Sequence, residues 1–323
     1  MRCSLWTTGL STVAGLLVRG LLGAHTASAF DASASSNLVL YWGQNSYGEV
    51  GAQEDLAYYC QDSTTDIIVL SFLYVFFGED NLPEINFSGS CSDGSYFDGT
   101  ELLQCPQIAE DIVTCQDNGK KVLLSLGGSS GSYGFDNTTQ AQEFATTLWN
   151  LFGGGSSDTR PFGTAIVDGF DLDIEGGSTT GYAEFVTAMR AYYDSYTDKT
   201  MYISGAPQCP IPDEFLNDAM ENSYFDFYFV QFYNNYCGAD TWSANSTSSY
   251  FNFDAWDSFA KNDGYNPDAK VFLGVPGSST AAGTGYVTID VLIEMIDSLA
   301  STYSSFGGVS IWCLSYLLHI MWR

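Results

Sequence analysis

Residues 165–179 read AIVDGFDLDIEGGST and set four acidic side chains, Asp168, Asp171, Asp173 and Glu175, inside an otherwise apolar run. Buried carboxylates are costly unless paired, and like charges this close repel one another. A β-strand resolves the pattern, because alternate side chains face opposite ways. Asp171, Asp173 and Glu175 then share one face at successive spacings of about 6.6 Å, and Leu172 and Ile174 turn toward covering helices. Asp168 has the wrong parity for that face and reads as a supporting residue near the strand start. A calcium loop is the competing reading of DLDIEG. Its twelfth position would be Tyr182 instead of the bidentate glutamate such a loop needs.

Mutual repulsion on the acidic face should hold at least one proton near neutrality. Glu175, outermost and longest, is the natural proton donor, with Asp173 hydrogen-bonded to it and Asp171 supporting Asp173 from below. A purely structural carboxylate network is the bland alternative, at odds with the cost of burying repelling charges.

Outward from this strand, seven more short apolar segments recur: LVLYW (38–42), DIIVLSF (66–72), KVLLSL (121–126), TMYISGA (200–206), DFYFVQF (226–232), KVFLGV (270–275) and GVSIW (308–312). Helix-compatible stretches lie between them, among them AQEFATTLWNLF (141–152) and VLIEMIDSLASTY (291–303). Apolar strands alternating with helices indicate a parallel sheet covered on both faces, and eight such units fit one (β/α)₈ (TIM) barrel of the α/β class. A doubly wound open sheet would carry a glycine-rich phosphate turn after its first strand, where YWGQNSYGEVG stands instead. No linker or repeat splits off a second domain.

The net charge of -28 argues against nucleic acid or an anionic membrane as partner. Residues 1–29 have the character of a secretory signal, with Arg2, a mostly apolar stretch and ASA before Phe30. No later run reaches the roughly 20 apolar residues of a membrane span. Sequons at Asn86, Asn137 and Asn245 and the absence of any C-x-x-C pair fit an exported, disulfide-bonded chain and no metal site. A secreted, extracellular or wall-associated monomer is expected.

In this fold the active site forms at the C-terminal strand ends. Those ends carry Tyr41, Gln44, Asn45, Phe72, Gly127, Gly128, Asp173, Glu175, Gln231, Tyr233, Asn234 and Trp312. Polar groups interleaved with flat aromatic faces suit a carbohydrate. Beyond the leader the only histidine is His319, so a Ser-His-Asp triad or a histidine-ligated metal has no material. Carboxylate chemistry remains.

DGFDLDIE resembles the D-G-x-D-x-D-x-E signature of glycoside hydrolase family 18, and LYWGQN, LSLGG, APQCP, VQFYNN and FGGVSIW match its class III (hevamine-like) chitinases in order, from about Asn37 to Trp312. The resemblance implies a (β/α)₈ barrel that cleaves β-1,4-linked N-acetylglucosamine polymers with retention and without a cofactor. In that family the substrate's own acetamide attacks the anomeric carbon, an exception among retaining glycosidases. It implies Glu175 as general acid and base, Asp173 as the residue orienting the acetamide, Asp171 as a buried relay and Tyr233 as the acetamide-oxygen donor. Tyr41, Gln44, Asn45, Phe72, Gln231 and Asn234 correspond to groove positions, Trp312 to the aromatic floor. Gly127 and Gly128 are expected to let the polymer approach the backbone.

The resemblance also implies the disulfides Cys60–Cys115, Cys91–Cys105 and Cys209–Cys237 and leaves Cys313 without a counterpart. After Trp312 the chain runs CLSYLLHIMWR to residue 323, where the family continues into an eighth barrel helix. The expectation is a barrel over 30–312 apparently lacking its last helix, with 313–323 an anomalous tail from a mis-spliced or frame-shifted gene model. Within the fold, the rival activities are an endo-β-N-acetylglucosaminidase on glycoprotein glycans and a non-catalytic sugar-binding or inhibitor barrel.

Overall fold

A computed structural model describes residues 30–44, 53–91, 94–244 and 250–312. The leader 1–29, Asn45, the sequon at Asn245 and the tail 313–323 with Cys313 and His319 lie outside the described residues.

Nine strands run in chain order: β1 (Asn37–Trp42), β2 (Ile67–Val75), β3 (Glu84–Ile85), β4 (Lys121–Gly128), β5 (Gly169–Ile174), β6 (Tyr202–Gly205), β7 (Phe227–Gln231), β8 (Lys270–Pro276) and β9 (Phe306–Trp312). Eight pair in parallel in the order β1-β9-β8-β7-β6-β5-β4-β2, and β1 pairs with β2 to close the ring. The two-residue β3 lies antiparallel on β2, outside that ring. Helices occupy the connections: α1 (Leu56–Tyr59), α2 (Pro106–Asp117), α3 (Thr138–Phe152), α4 (Tyr182–Ser195), α5 (Asn217–Asn222), α6 (Phe253–Asn262) and α7 (Ile289–Thr302). The (β/α)₈ barrel expected from the strand pattern is therefore present. Among the described residues no helix is long and apolar enough to cross a membrane.

Strand alternation divides the apolar residues into two cores. Val39, Tyr41, Ile67, Val69, Leu123, Phe227, Phe229 and Phe272 fill the barrel interior, and Phe30 and Ala32 pack against its lower end. Phe30 meets Tyr202 and Phe227 edge-on, with ring centroids 5.5 and 6.2 Å apart. Residues of the opposite parity, such as Leu124, Phe170, Leu172, Ile203 and Val230, pack outward with Phe144, Phe152, Phe185 and Trp256 of the helices.

The acidic strand begins at Gly169 rather than at Ala165, and Asp168 explains why. Its N–H donates to the Val122 carbonyl while its carboxylate accepts the Val122 N–H at 2.9 Å, so the aspartate itself ends the ladder. The same two-way clasp recurs between Asp66 and Leu38 and between Asp226 and Ile203. In each case an aspartate immediately before a strand grips the second residue of an adjacent one. Asp168 also pairs with Lys199 (3.1 Å), in keeping with a supporting role at the strand start.

The three disulfides are those the resemblance implied. Cys60–Cys115 joins α1 to α2, Cys91–Cys105 closes the segment between β3 and α2, and Cys209–Cys237 ties the segments that follow β6 and β7. Asn86 and Asn137 are both exposed, and Asn137 also caps α3 by accepting the Gln140 N–H at 3.0 Å.

Candidate active site

Asp171 and Asp173 of β5, with Glu175 just past its end, climb the barrel interior toward its open end. Asp171, fully buried, accepts the hydroxyls of Tyr41 (3.0 Å), Ser125 (2.7 Å) and Ser204 (2.7 Å). Burial raises its pKa and the three donors oppose that rise. Asp173, one step higher, accepts from Gln231 Nε2 at 2.8 Å and shares a hydrogen bond with Glu175. Burial, then the Glu175 and Asp171 carboxylates, push Asp173 well above the usual carboxylate range. Glu175 is partly exposed at the mouth, and burial raises it too, against hydrogen bonds with Gln231 and Asp173. Both shifts favour keeping a proton on the upper carboxyl pair.

Aromatic groups line the space beside them. Trp312 at the end of β9 stacks on Phe72 (5.8 Å, 27°) and lies 5.6 Å from the Tyr41 ring. Tyr233, just past β7, shares a cleft with Tyr41, Asp173, Gln231 and Trp312. Burial and the Asp173, Glu175 and Asp171 carboxylates hold the Tyr233 hydroxyl well above its ordinary pKa, and burial with Asp171 and Asp173 does the same for Tyr41. Both phenols therefore remain protonated donors at neutral pH. A flat apolar floor, neutral hydroxyl donors and a protonated carboxyl pair can hold a pyranose ring and protonate an oxygen attached to it.

Other candidates have duties within the protein. Gln44 Nε2 donates to the carbonyls of Ser71 (2.8 Å) and Asn86 (3.2 Å) and so holds the middle of β2, where the Ser71–Phe72 peptide is cis. Exposed Asn234 accepts the Gly283 N–H at 2.7 Å and braces the segment after β8. Gly127 and Gly128 are buried, which changes the reason for them. A Cβ on Gly127 would stand 2.3 Å from the Asp173 carbonyl, and one on Gly128 would stand 3.0 Å from the Phe72 ring. Their place is taken by neighbouring strand and ring; the expected polymer approach finds no support here.

Sequence reasoning passed over three contributors. Ser125 and Ser204 face the interior from β4 and β6 and could have been found as hydroxyls at inward positions of apolar strands. Tyr133, from the segment after β4, donates to the Gly128 carbonyl (2.6 Å) and accepts the Glu175 N–H (3.3 Å). Nothing in its local sequence marks it, since the contact is made by a loop.

The family model for Glycosyl hydrolases family 18 matches residues 37–290. "Chitinase 2" of Rhizopus oligosporus is 50% identical over 301 residues, covering 93% of this chain and 53% of that protein. The "Endochitinase" of Saccharomyces cerevisiae is 49% identical over 285 residues, 88% of this chain and 47% of its own. The chain thus spans about half the length of these relatives. Among solved structures, a chitinase from Ipomoea carnea superposes with a TM-score of 0.73 at 30% identity, covering 87% of this chain and 96% of that one. A xylanase and alpha-amylase inhibitor from Scadoxus multiflorus gives 0.71, also at 30% identity, over 88% and 94%.

Proposed function

From the premise that the chain belongs to glycosyl hydrolases family 18, we propose that it is a secreted endochitinase. The observation that carries this reading is the hydrogen-bonded Asp173–Glu175 pair, held at the mouth of a barrel that is about half identical to fungal chitinases over most of its length. Glu175 at the mouth protonates the glycosidic oxygen. The acetamide oxygen of the sugar attacks the anomeric carbon, the leaving chain departs and an oxazolinium ion forms. Asp173, now carrying negative charge beside that ion, orients the acetamide nitrogen, and the neutral Tyr233 hydroxyl donates to the acetamide oxygen. Glu175, deprotonated by the first step, takes a proton from water as it attacks, so configuration is retained. Asp171, locked by three hydroxyls, fixes the base of the carboxylate column. Trp312 stacks under the apolar face of the sugar.

The likeness to an inhibitor protein raises the non-catalytic reading. The intact column of Asp171, Asp173 and Glu175, with Gln231 and Tyr41 bonded to it, favours catalysis. Three disulfides and two exposed sequons support export. The test is turnover of N-acetylglucosamine oligomers by the full chain beside Glu175→Gln, with N-glycans as a second substrate. Loss of about 10²–10⁴-fold on the oligomers, with the fold kept, is expected for a general acid. A variant within tenfold of wild type would refute the assignment, and cleavage of N-glycans alone would select the glycan-directed activity instead.

A further inference from the structure

Asp213, in the segment between β6 and α5, is 5% exposed, and its carboxylate is filled by backbone donors. Oδ1 accepts the N–H groups of Phe215 (3.0 Å) and Leu216 (2.7 Å), the bonds of an aspartate that caps the turn leading into α5. Oδ2 does something a cap does not require. It accepts the Gln208 N–H at 2.9 Å, reaching back to where the chain leaves β6 and joins β7. There Gln231 is gripped from both sides: its N–H donates to the Pro207 carbonyl (2.8 Å), and its carbonyl accepts the Cys209 N–H (3.2 Å). Gln231 in turn donates to Asp173. Asp213 therefore stands directly behind the residue that bonds the acid pair.

No lysine, arginine or histidine occurs in the segment 206–216, and no ion pair to Asp213 forms among the described residues. Burial raises Asp213, as does the neighbouring Glu214 carboxylate, and its three N–H donors favour the ionised form. The groups facing the acid pair are Asp171 on β5, Tyr41 on β1, Tyr133 after β4, Tyr233 after β7, and Asp213. Burial keeps the three phenols protonated, and Asp171 is saturated by hydroxyls. Outside the carboxylate strand, Asp213 is the remaining carboxyl in this set, and its negative charge when ionised raises both Asp173 and Glu175.

We propose that Asp213 is a positioning residue whose buried negative charge holds the working proton on the Asp173–Glu175 pair and so sets the alkaline limit of activity. The proposal rests on the chitinase reading. It separates two roles for one side chain: the cap needs an oxygen, whereas the proton-holding role needs the charge.

Asp213→Ser and Asp213→Asn both leave an acceptor for the cap and remove the charge. On neutral N-acetylglucosamine oligomers, the alkaline limb of kcat/KM against pH is expected to move about 0.5–1 unit toward acid in both variants, because an anion nearby disfavours deprotonation. Gln208→Ala loosens the same segment by removing its contact with Asn235 (3.0 Å) while keeping the charge. It should leave the limb in place whatever it does to the rate. A limb unmoved in a folded Asp213 variant, or moved equally by Gln208→Ala, overturns the proposal. Wild-type inactivity on the oligomers would instead refute the chitinase reading beneath it.

Discussion

At Gly127 the carboxylate strand and its neighbour meet with no space for a side chain. Gly127 pairs with Asp173 across the β4–β5 ladder, its φ is +108°, and an added Cβ would lie 2.3 Å from the Asp173 carbonyl. The obstacle is backbone, which cannot swing aside as a flexible side chain could. Gly127→Ala must therefore strain its own φ and push Asp173 away from Gln231 and Glu175. A loss on the order of 3 kcal/mol is expected from the strained backbone. Activity should fall further than this destabilisation accounts for, which denaturant unfolding and oligomer turnover on the same preparation would check. The period-two rule read Asp171, Asp173 and Glu175 correctly as one column, because a strand's parity is written locally. It could not find Tyr133 or Asp213, whose side chains reach the site from loops whose path depends on the whole barrel.

Among the elements, the strands were the most legible part of the chain: each of the eight ring strands overlaps one segment read from sequence, although β2 runs on to Val75 and β9 starts earlier, at Phe306. Apart from the inward Asp171, Asp173, Ser125 and Ser204, the strands are largely apolar on both faces and punctuated by polar connections, as a strand covered inside and out must be. The two-residue β3 was invisible because two residues carry no period. The disulfide pairing came through family resemblance, since spacing alone leaves many connectivities open. What the strand segments did contain, unrecognised, was the repeated aspartate clasp at Asp66, Asp168 and Asp226. Asp66 shows it in its simplest form. Its carboxylate accepts the Leu38 N–H at 2.9 Å while its own N–H donates to the Leu38 carbonyl. Asp66→Ala leaves the second half of the clasp and orphans the Leu38 N–H. That costs about 2 kcal/mol and lowers the melting temperature by roughly 4–8 °C. Asp66→Asn, which can still offer an oxygen to Leu38, should lose less than Asp66→Ala. Equal melting temperatures for the two variants, measured by calorimetry, would show that the clasp contributes nothing.

Across the whole molecule, charge is sorted by pole. Seven of the ten lysines and arginines fall within residues 30–312: Lys120, Lys121, Arg160, Arg190, Lys199, Lys261 and Lys270. Lys120, Lys121, Lys199, Lys261 and Lys270 stand where helices end or strands begin, Arg160 lies in the connection from α3 to β5, and Arg190 reaches from α4 to Asp226 just before β7. The segments that follow the first seven ring strands, 43–55, 76–105, 129–137, 175–181, 206–216, 232–252 and 277–288, contain no lysine, arginine or histidine. Among the described residues, nothing cationic thus opposes the upward shift that burial imposes on Glu175 and Asp173. The same burial links stability to pH. Asp66, Asp111, Asp171, Asp173, Glu175, Asp213 and Asp226 are all raised, chiefly by burial, while Asp31 is lowered by Ser33 and Asp257 by Lys261 and Ser305. A carboxyl raised on folding contributes stability that is complete below its unfolded pKa and is lost as pH climbs through its folded value. The two lowered groups act in the opposite sense, and they are outnumbered. Repulsion from a net charge of -28 grows in the same direction. The melting temperature should therefore be highest in mildly acidic buffer and fall steadily toward pH 8 at constant ionic strength. A calorimetric profile that is flat or rising from pH 5 to 8 would mean that the buried carboxylates are as well solvated folded as unfolded, and the proton assigned to the Asp173–Glu175 pair would lose its physical basis.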